Sequence, residues 1–170
     1  MLPNPGTESP LHRPMPEVIG IDHIYISVSD LARSEAFYDR VMPILGFRKN
    51  AFAIGSDSHV QYFNRHFGYV LRPARSKHAH DPYAPGLHHL CFRVECTADV
   101  EEAAGKLRAA GIDASGSKIF REYADDYHAA FFTDPDGLRL EVTNYRLERR
   151  QRHDHWDKGY AGLRDENSGH

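Results

Sequence analysis

The sequence points to an α+β fold built from two βαβββ modules, and three observations carry that expectation. The stretch IDHIYISVSDLARSEAFYDRVMPILGF (21–47) overlays LHHLCFRVECTADVEEAAGKLRAAGI (87–112), so that His89 falls 66 positions after His23 and each half runs strand, helix, glycine. Short strand-like stretches then follow each helix: HVQYF and GYVLRP in the first half, AAFFT and LRLEVT in the second. Both helical stretches carry an apolar stripe, so each has to cover one face of a sheet.

The elements follow in chain order. Prolines at positions 3, 5, 10, 14 and 16 make residues 1–18 an extended, mobile arm. The first module spans 19–75. Its helix begins after Asp30, carries Leu31, Phe37, Tyr38, Val41 and Met42, and ends around Pro43 and Gly46. Its second strand is faint, around AFAI. A linker, SKHAHDPYAPG (76–86), separates the halves; its His78 and His80 are expected in solvent. The second module spans 87–146. Thr97 is the expected N-cap of its helix, with Asp99, Glu101 and Glu102 loading the first turn, where the helix dipole favours negative charge. Val100, Ala103, Ala104, Leu107 and Ala110 form its apolar stripe, and Gly111 suits the C′ position. The second strand is again faint, around SKIFRE. Residues 147–170 form a charged extension, either a solvated helix with a loose end or a tail that docks through Leu147, Trp156, Tyr160 and Leu163.

Composition narrows the function classes. The 170 residues are 41% hydrophobic and 26% charged, ordinary values for a globular chain of one domain or two small halves. A formal charge of −3 argues against a protein that works by binding nucleic acid phosphates. No apolar run approaches the roughly 20 residues that span a bilayer, and the N-terminus has no signal-peptide core, so a cytoplasmic protein without a membrane partner is expected. Cys91 and Cys96 are too close in sequence to staple a fold and match no zinc spacing. Twelve histidines raise the question of metal.

Strand alternation sorts the polar residues. Ile24, Ile26 and Val28 should face the first helix, leaving His23, Tyr25 and Ser27 on the other face. Leu90, Phe92 and Val94 leave His89, Cys91 and Arg93 opposite; Leu138, Leu140 and Val142 leave Arg139, Glu141 and Thr143 opposite. Two histidines and a carboxylate thus share comparable strand positions through the repeat. His88 should point the other way and be structural.

On these residues the chain resembles the vicinal-oxygen-chelate superfamily, which includes glyoxalase I, extradiol dioxygenases, bleomycin-resistance and fosfomycin-resistance proteins. The resemblance covers about 19–146 and rests on 21–47, on PGLHHLCFRV, and most specifically on the DPDG-x-x-L-E ending of HAAFFTDPDGLRLEV. It implies paired βαβββ modules that curl a mixed sheet into a metal-binding cup, with His23, His89 and Glu141 as the ligands of one divalent ion: iron, manganese, nickel, cobalt or zinc. Glyoxalase I has a fourth ligand where GYVLRP here offers Val70 or Arg72, so that activity is not expected. The three-ligand set is similar to those of extradiol dioxygenases and fosfomycin-resistance enzymes.

Such a site implies an enzyme that chelates a small oxygenated substrate to a Lewis-acidic metal, as lyase, dioxygenase, isomerase or transferase. His128, Tyr25 and Arg93 are the candidate catalytic residues, His128 as an acid or base. Tyr123 and Tyr127 should form a lid or simply pack. Two alternatives stand beside this reading. One is a fosfomycin-type resistance enzyme, for which Arg150 matches a phosphonate-binding position while Arg121, Asp125, Ala129 and Phe131 depart from the pattern. The other is a non-catalytic, bleomycin-resistance-like binding protein, a class that generally lacks the metal set. The resemblance also implies a homodimer with composite sites, His23 from one chain and His89 with Glu141 from the other.

Overall fold

A computed structural model describes residues 18–76 and 78–156. The greater part of the expected arm, and Tyr160 and Leu163 of the extension, lie outside the described residues. The first module runs β1 (His23–Val28), α1 (Leu31–Val41), β2 (Arg48–Ile54), β3 (Asp57–Phe63) and β4 (Gly68–Pro73). The second runs β5 (His89–Val94), α2 (Thr97–Ala109), β6 (Lys118–Ile119), β7 (His128–Thr133) and β8 (Arg139–Asn144), and α3 (Leu147–Asp154) follows. Each module folds into its own four-stranded mixed sheet, ordered β1-β4-β3-β2 and β5-β8-β7-β6. In both, the first strand of the module pairs parallel with its last strand.

The repeat extends to the helix ends. Asp30 caps α1 by accepting the Arg33 N–H at 3.0 Å. At α2 the N-cap is Cys96 and not Thr97, because Asp99 reaches back from the third helical position to accept the Cys96 N–H at 3.0 Å. After α2, Gly111 adopts φ +74°, and Ile112 N–H bonds the Leu107 carbonyl at 3.0 Å. After α1 the chain tightens through an extra turn to Gly46 at φ +79°, where Phe47 N–H bonds the Met42 carbonyl at 2.9 Å. The same glycine-based stop closes both helices. The faint second strands differ in outcome: β2 has seven residues, almost all exposed, while β6 has two. Both are edge strands in which little apolar surface signals the strand.

The helix-side faces of the two modules merge into one core. Phe92 of β5 sits 6.0–6.4 Å, ring to ring, from Phe47, Phe67 and Tyr69 of the first module. The DPDG turn bolts the modules together. Buried Asp134 accepts the Tyr38 hydroxyl at 2.9 Å and the N–H groups of Asp136 and Leu138, and Tyr38 in turn meets the Tyr69 hydroxyl at 2.8 Å. Asp136 accepts the Ser29 N–H at 2.8 Å and pairs with Arg33 at 2.6 Å, tying the turn to the β1–α1 corner. Gly137, at φ +93°, completes the turn, and His80 of the linker packs beside it, so His80 is half-buried rather than solvated. Burial pushes the Asp134 carboxyl above its ordinary range, against the opposing pull of its N–H and hydroxyl donors. The extension begins by folding onto its own module: Leu147 N–H donates to Asp126 at 2.7 Å and Arg150 pairs with Glu95 at 2.7 Å.

Candidate metal centre

With the helix sides joined, the opposite sheet faces are left open, and those faces carry the candidate ligands. The central strand pairs of the two halves share one register. His23 stands opposite Gly68 and Tyr25 opposite Val70; His89 stands opposite Arg139 and Cys91 opposite Glu141. Val70, rather than Arg72, is therefore the counterpart of Glu141, while Arg72 is engaged with Asp57 at 2.9 Å.

In the second module His89 and Glu141 come together, with Nε2 of the ring 3.4 Å from Oε2 of the carboxylate. The Glu141 side chain is 4% exposed and that of His89 44%, so a buried carboxylate looks out through an accessible imidazole. Tyr127 donates its hydroxyl to Glu141 Oε1 at 2.6 Å, which leaves Oε2 for the His89 side. Burial, reinforced by that carboxylate, holds the Tyr127 phenol and the neighbouring Cys91 thiol above their ordinary pKa ranges. Neither is an anion at neutral pH, and Tyr127 stays a donor.

In the first module, His23 Nδ1 donates to Asp22 Oδ2 at 2.7 Å. His89 shows the same device, its Nδ1 lying 2.7 Å from Nδ1 of His88. In both rings the preceding residue occupies Nδ1, so Nε2 is the nitrogen left for a further partner, an arrangement found in metal-binding imidazoles. His88 thus lies against His89 instead of pointing away; it precedes the strand, where alternation does not bind it. Tyr25 lies edge-on to His23 at 5.3 Å between ring centres, and both line a cavity of about 330 Å³ together with Gln61 and Val70.

The remaining candidates divide. His128 does not join Glu141. Phe131 and Ala129 stand opposite Glu141 and Thr143, so alternation turns His128 to the helix side, where its Nδ1 lies 3.5 Å from the Thr97 hydroxyl. Arg93 stacks 4.1 Å over the Tyr145 ring. Tyr127, expected only as a lid or packing residue, is the one that touches Glu141. It sits in a loop closed by the Phe120 N–H to Tyr127 carbonyl bond at 2.7 Å, and strand alternation says nothing about a loop side chain.

Two imidazoles and a carboxylate suit a divalent ion of the first transition row, and the occupied Nδ1 atoms and the Tyr127 bond are the support such ligands need. The fit is split, however. Neither His89 nor Glu141 lines the cavity of His23, and among the described residues of one chain no three His, Cys, Asp or Glu side chains converge. Among the described residues, no helix is long and apolar enough to cross a membrane.

Comparison with known proteins agrees with this architecture. The family model for the Glyoxalase/Bleomycin resistance protein/Dioxygenase superfamily matches residues 20–142. The uncharacterized protein YaeR of Escherichia coli K12 is 31% identical over 134 residues, covering 72% of this chain and 93% of YaeR. A glyoxylase/bleomycin resistance protein/dioxygenase domain from Frankia sp. EAN1pec superposes with a TM-score of 0.63 at 22% identity, over 76% of this chain and all of that one. A mutant of the fosfomycin resistance protein FosX from Listeria monocytogenes, solved with Mn(II) and 1S,2S-dihydroxypropylphosphonic acid, superposes with a TM-score of 0.58 at 17% identity, over 79% of this chain and 98% of that one.

Proposed function

Because the chain belongs to the Glyoxalase/Bleomycin resistance protein/Dioxygenase superfamily, we propose that it is a divalent-metal-dependent enzyme acting on a small oxygenated substrate. The observation that carries this reading is the buried Glu141 carboxylate facing His89, with His23 at the matching register position of the first sheet. The fold shared with FosX, a protein crystallised with Mn(II), supports a divalent ion.

His89 and Glu141 would hold the ion from one chain and His23 from a second copy, since one chain does not bring the three together. A bound ion would supply Lewis acidity toward a substrate that chelates through two oxygens. The chain's own groups do the rest. Tyr127 fixes the carboxylate and keeps it from rotating. Asp22 and His88 engage Nδ1 of the two imidazoles, so that Nε2 would be the atom each offers to the ion. Tyr25, beside His23 on the open face, offers a phenol to hydrogen-bond a substrate oxygen or pass it a proton.

A fosfomycin-like dianion fits less well. Arg150 is already neutralised by Glu95 and held at the Tyr145 ring, and Phe131 rather than a hydroxyl stands opposite Glu141. With Val70 in place of a fourth carboxylate, the protein should not isomerise the methylglyoxal–glutathione hemithioacetal. The direct test is elemental analysis of reconstituted protein. One divalent ion per chain is expected, lost on His23→Ala, His89→Ala or Glu141→Ala with the fold kept. A wild-type protein that takes up no transition metal removes this reading.

A further inference from the structure

Where the modules meet, a second cavity of about 610 Å³ opens beside the His23 cup. Its wall holds Arg48, Arg65, His66 and Arg93, and no carboxylate. This gathering of positive charge belongs to a chain of net charge −3. Among the described residues, none of the three arginines has an ion-pair partner, whereas those at positions 33, 72, 75, 146, 150 and 152 do.

The backbone that carries Arg65 and His66 is held in place, and so is the Arg93 side chain. Asn64 Oδ1 accepts the N–H groups of His66 at 2.8 Å and Phe67 at 3.2 Å, and Asn64 N–H bonds the Phe67 carbonyl at 3.2 Å, so the β3–β4 hairpin tip carrying Arg65 and His66 is closed on itself. Arg93 is fixed by stacking on Tyr145, a contact that uses the face of the guanidinium and leaves its N–H fork available. Glu95, the acid nearest to Arg93 in sequence, is taken by Arg150 at 2.7 Å.

Like charges brought to one cavity repel unless something of opposite sign sits among them, and the guanidinium fork matches the paired oxygens of phosphate and carboxylate. The volume is that of a small-molecule site, within the roughly 300–1,000 Å³ typical of ligand pockets. We propose that this cavity binds a small polyanion, a molecule carrying two or more phosphate or carboxylate groups. The site includes none of His23, His89 and Glu141, so it does not depend on the metal reading. Phe63, Asn64, Arg65 and His66 line both cavities, which makes the anion a direct neighbour of whatever occupies the cup.

The test is isothermal titration of the full chain, stripped of metal, with pyrophosphate, citrate and acetate at low ionic strength. Saturable binding of pyrophosphate or citrate at one per chain is expected, weakening as salt is raised, with no saturation by acetate. Pyrophosphate against citrate tells a phosphate ligand from a carboxylate one. The Arg48→Ala/Arg65→Ala double variant should bind at least about tenfold more weakly, as expected for losing charge-assisted contacts, while Arg75→Ala binds like wild type. If the double variant fails to fold, Arg65→Glu at the exposed hairpin tip replaces it, with the same weakening expected. Failure of both polyanions to saturate, undiminished binding by the variants, or equal loss in Arg75→Ala overturns the proposal.

Discussion

Module one and module two place a histidine at the same point of the same strand, and only module two sets a carboxylate in the adjoining row. Val70 occupies in the first sheet the position that Glu141 occupies in the second, and Gln61 stands where the second has Phe131. Two features that fix the backbone are repeated: the glycine stops at Gly46 and Gly111, and the parallel pairing of first and last strands. The two halves thus share a strand register while their open faces differ in chemistry. The first half offers one candidate ligand and a phenol. The second offers two candidate ligands and a tyrosine hydrogen-bonded to one of them.

That contrast can be broken at several points. Glu141→Ala should weaken divalent-metal affinity by more than about a hundredfold, beyond what loss of a supporting residue costs, whereas Val70→Ala at the matching position should leave it unchanged; calorimetric titration with Mn(II) reads both. Tyr127→Phe should cost about ten- to a hundredfold in the same titration by freeing the Glu141 carboxylate, and Tyr25→Phe, which keeps the edge-on ring contact with His23, should cost less than about twofold.

The bolt between the modules is a smaller effect. Asp136→Ala removes the acceptor for Ser29 and the partner of Arg33 and should lower unfolding stability by about 1–3 kcal/mol in urea titrations. The smallest is a pH slope. The folded protein raises the Asp134 pKa, so this group favours the folded state most when protonated, and its contribution is lost as pH rises from about 4 through the raised folded value. Asp134→Asn, which cannot ionise, should flatten that part of the stability–pH curve.

Much of this was legible in the sequence, for a local reason. Parity along β1, β5 and β8 follows from alternation, which put His23, His89 and Glu141 on open faces and Ile26, Phe92 and Leu140 toward the core. Other features depend on contacts that parity cannot express. His128 reads from the sequence as a candidate acid or base, but antiparallel pairing turns it to the helix side. Tyr127 reaches Glu141 from a loop. The N-cap moved to Cys96 because Asp99 reaches back three residues. The DPDG motif marks the family, and the structure gives it a job away from the open faces, as the junction between modules. Arg93 was expected on the open face, but its neighbours Arg48, Arg65 and His66 come from the other module, beyond any local reading.

The central claim is that the unequal halves complete each other across two chains. It is tested most directly by mixing a His23→Ala chain with a Glu141→Ala chain and measuring bound metal in the isolated heterodimer. In a composite arrangement both defects fall in one site, and the other site has His23 from one chain with His89 and Glu141 from its partner. One divalent ion per heterodimer is therefore expected, where each variant alone binds none. A confirmed heterodimer that binds no metal, while the wild-type protein binds one ion per chain, would contradict the account and assign all three ligands to a single chain.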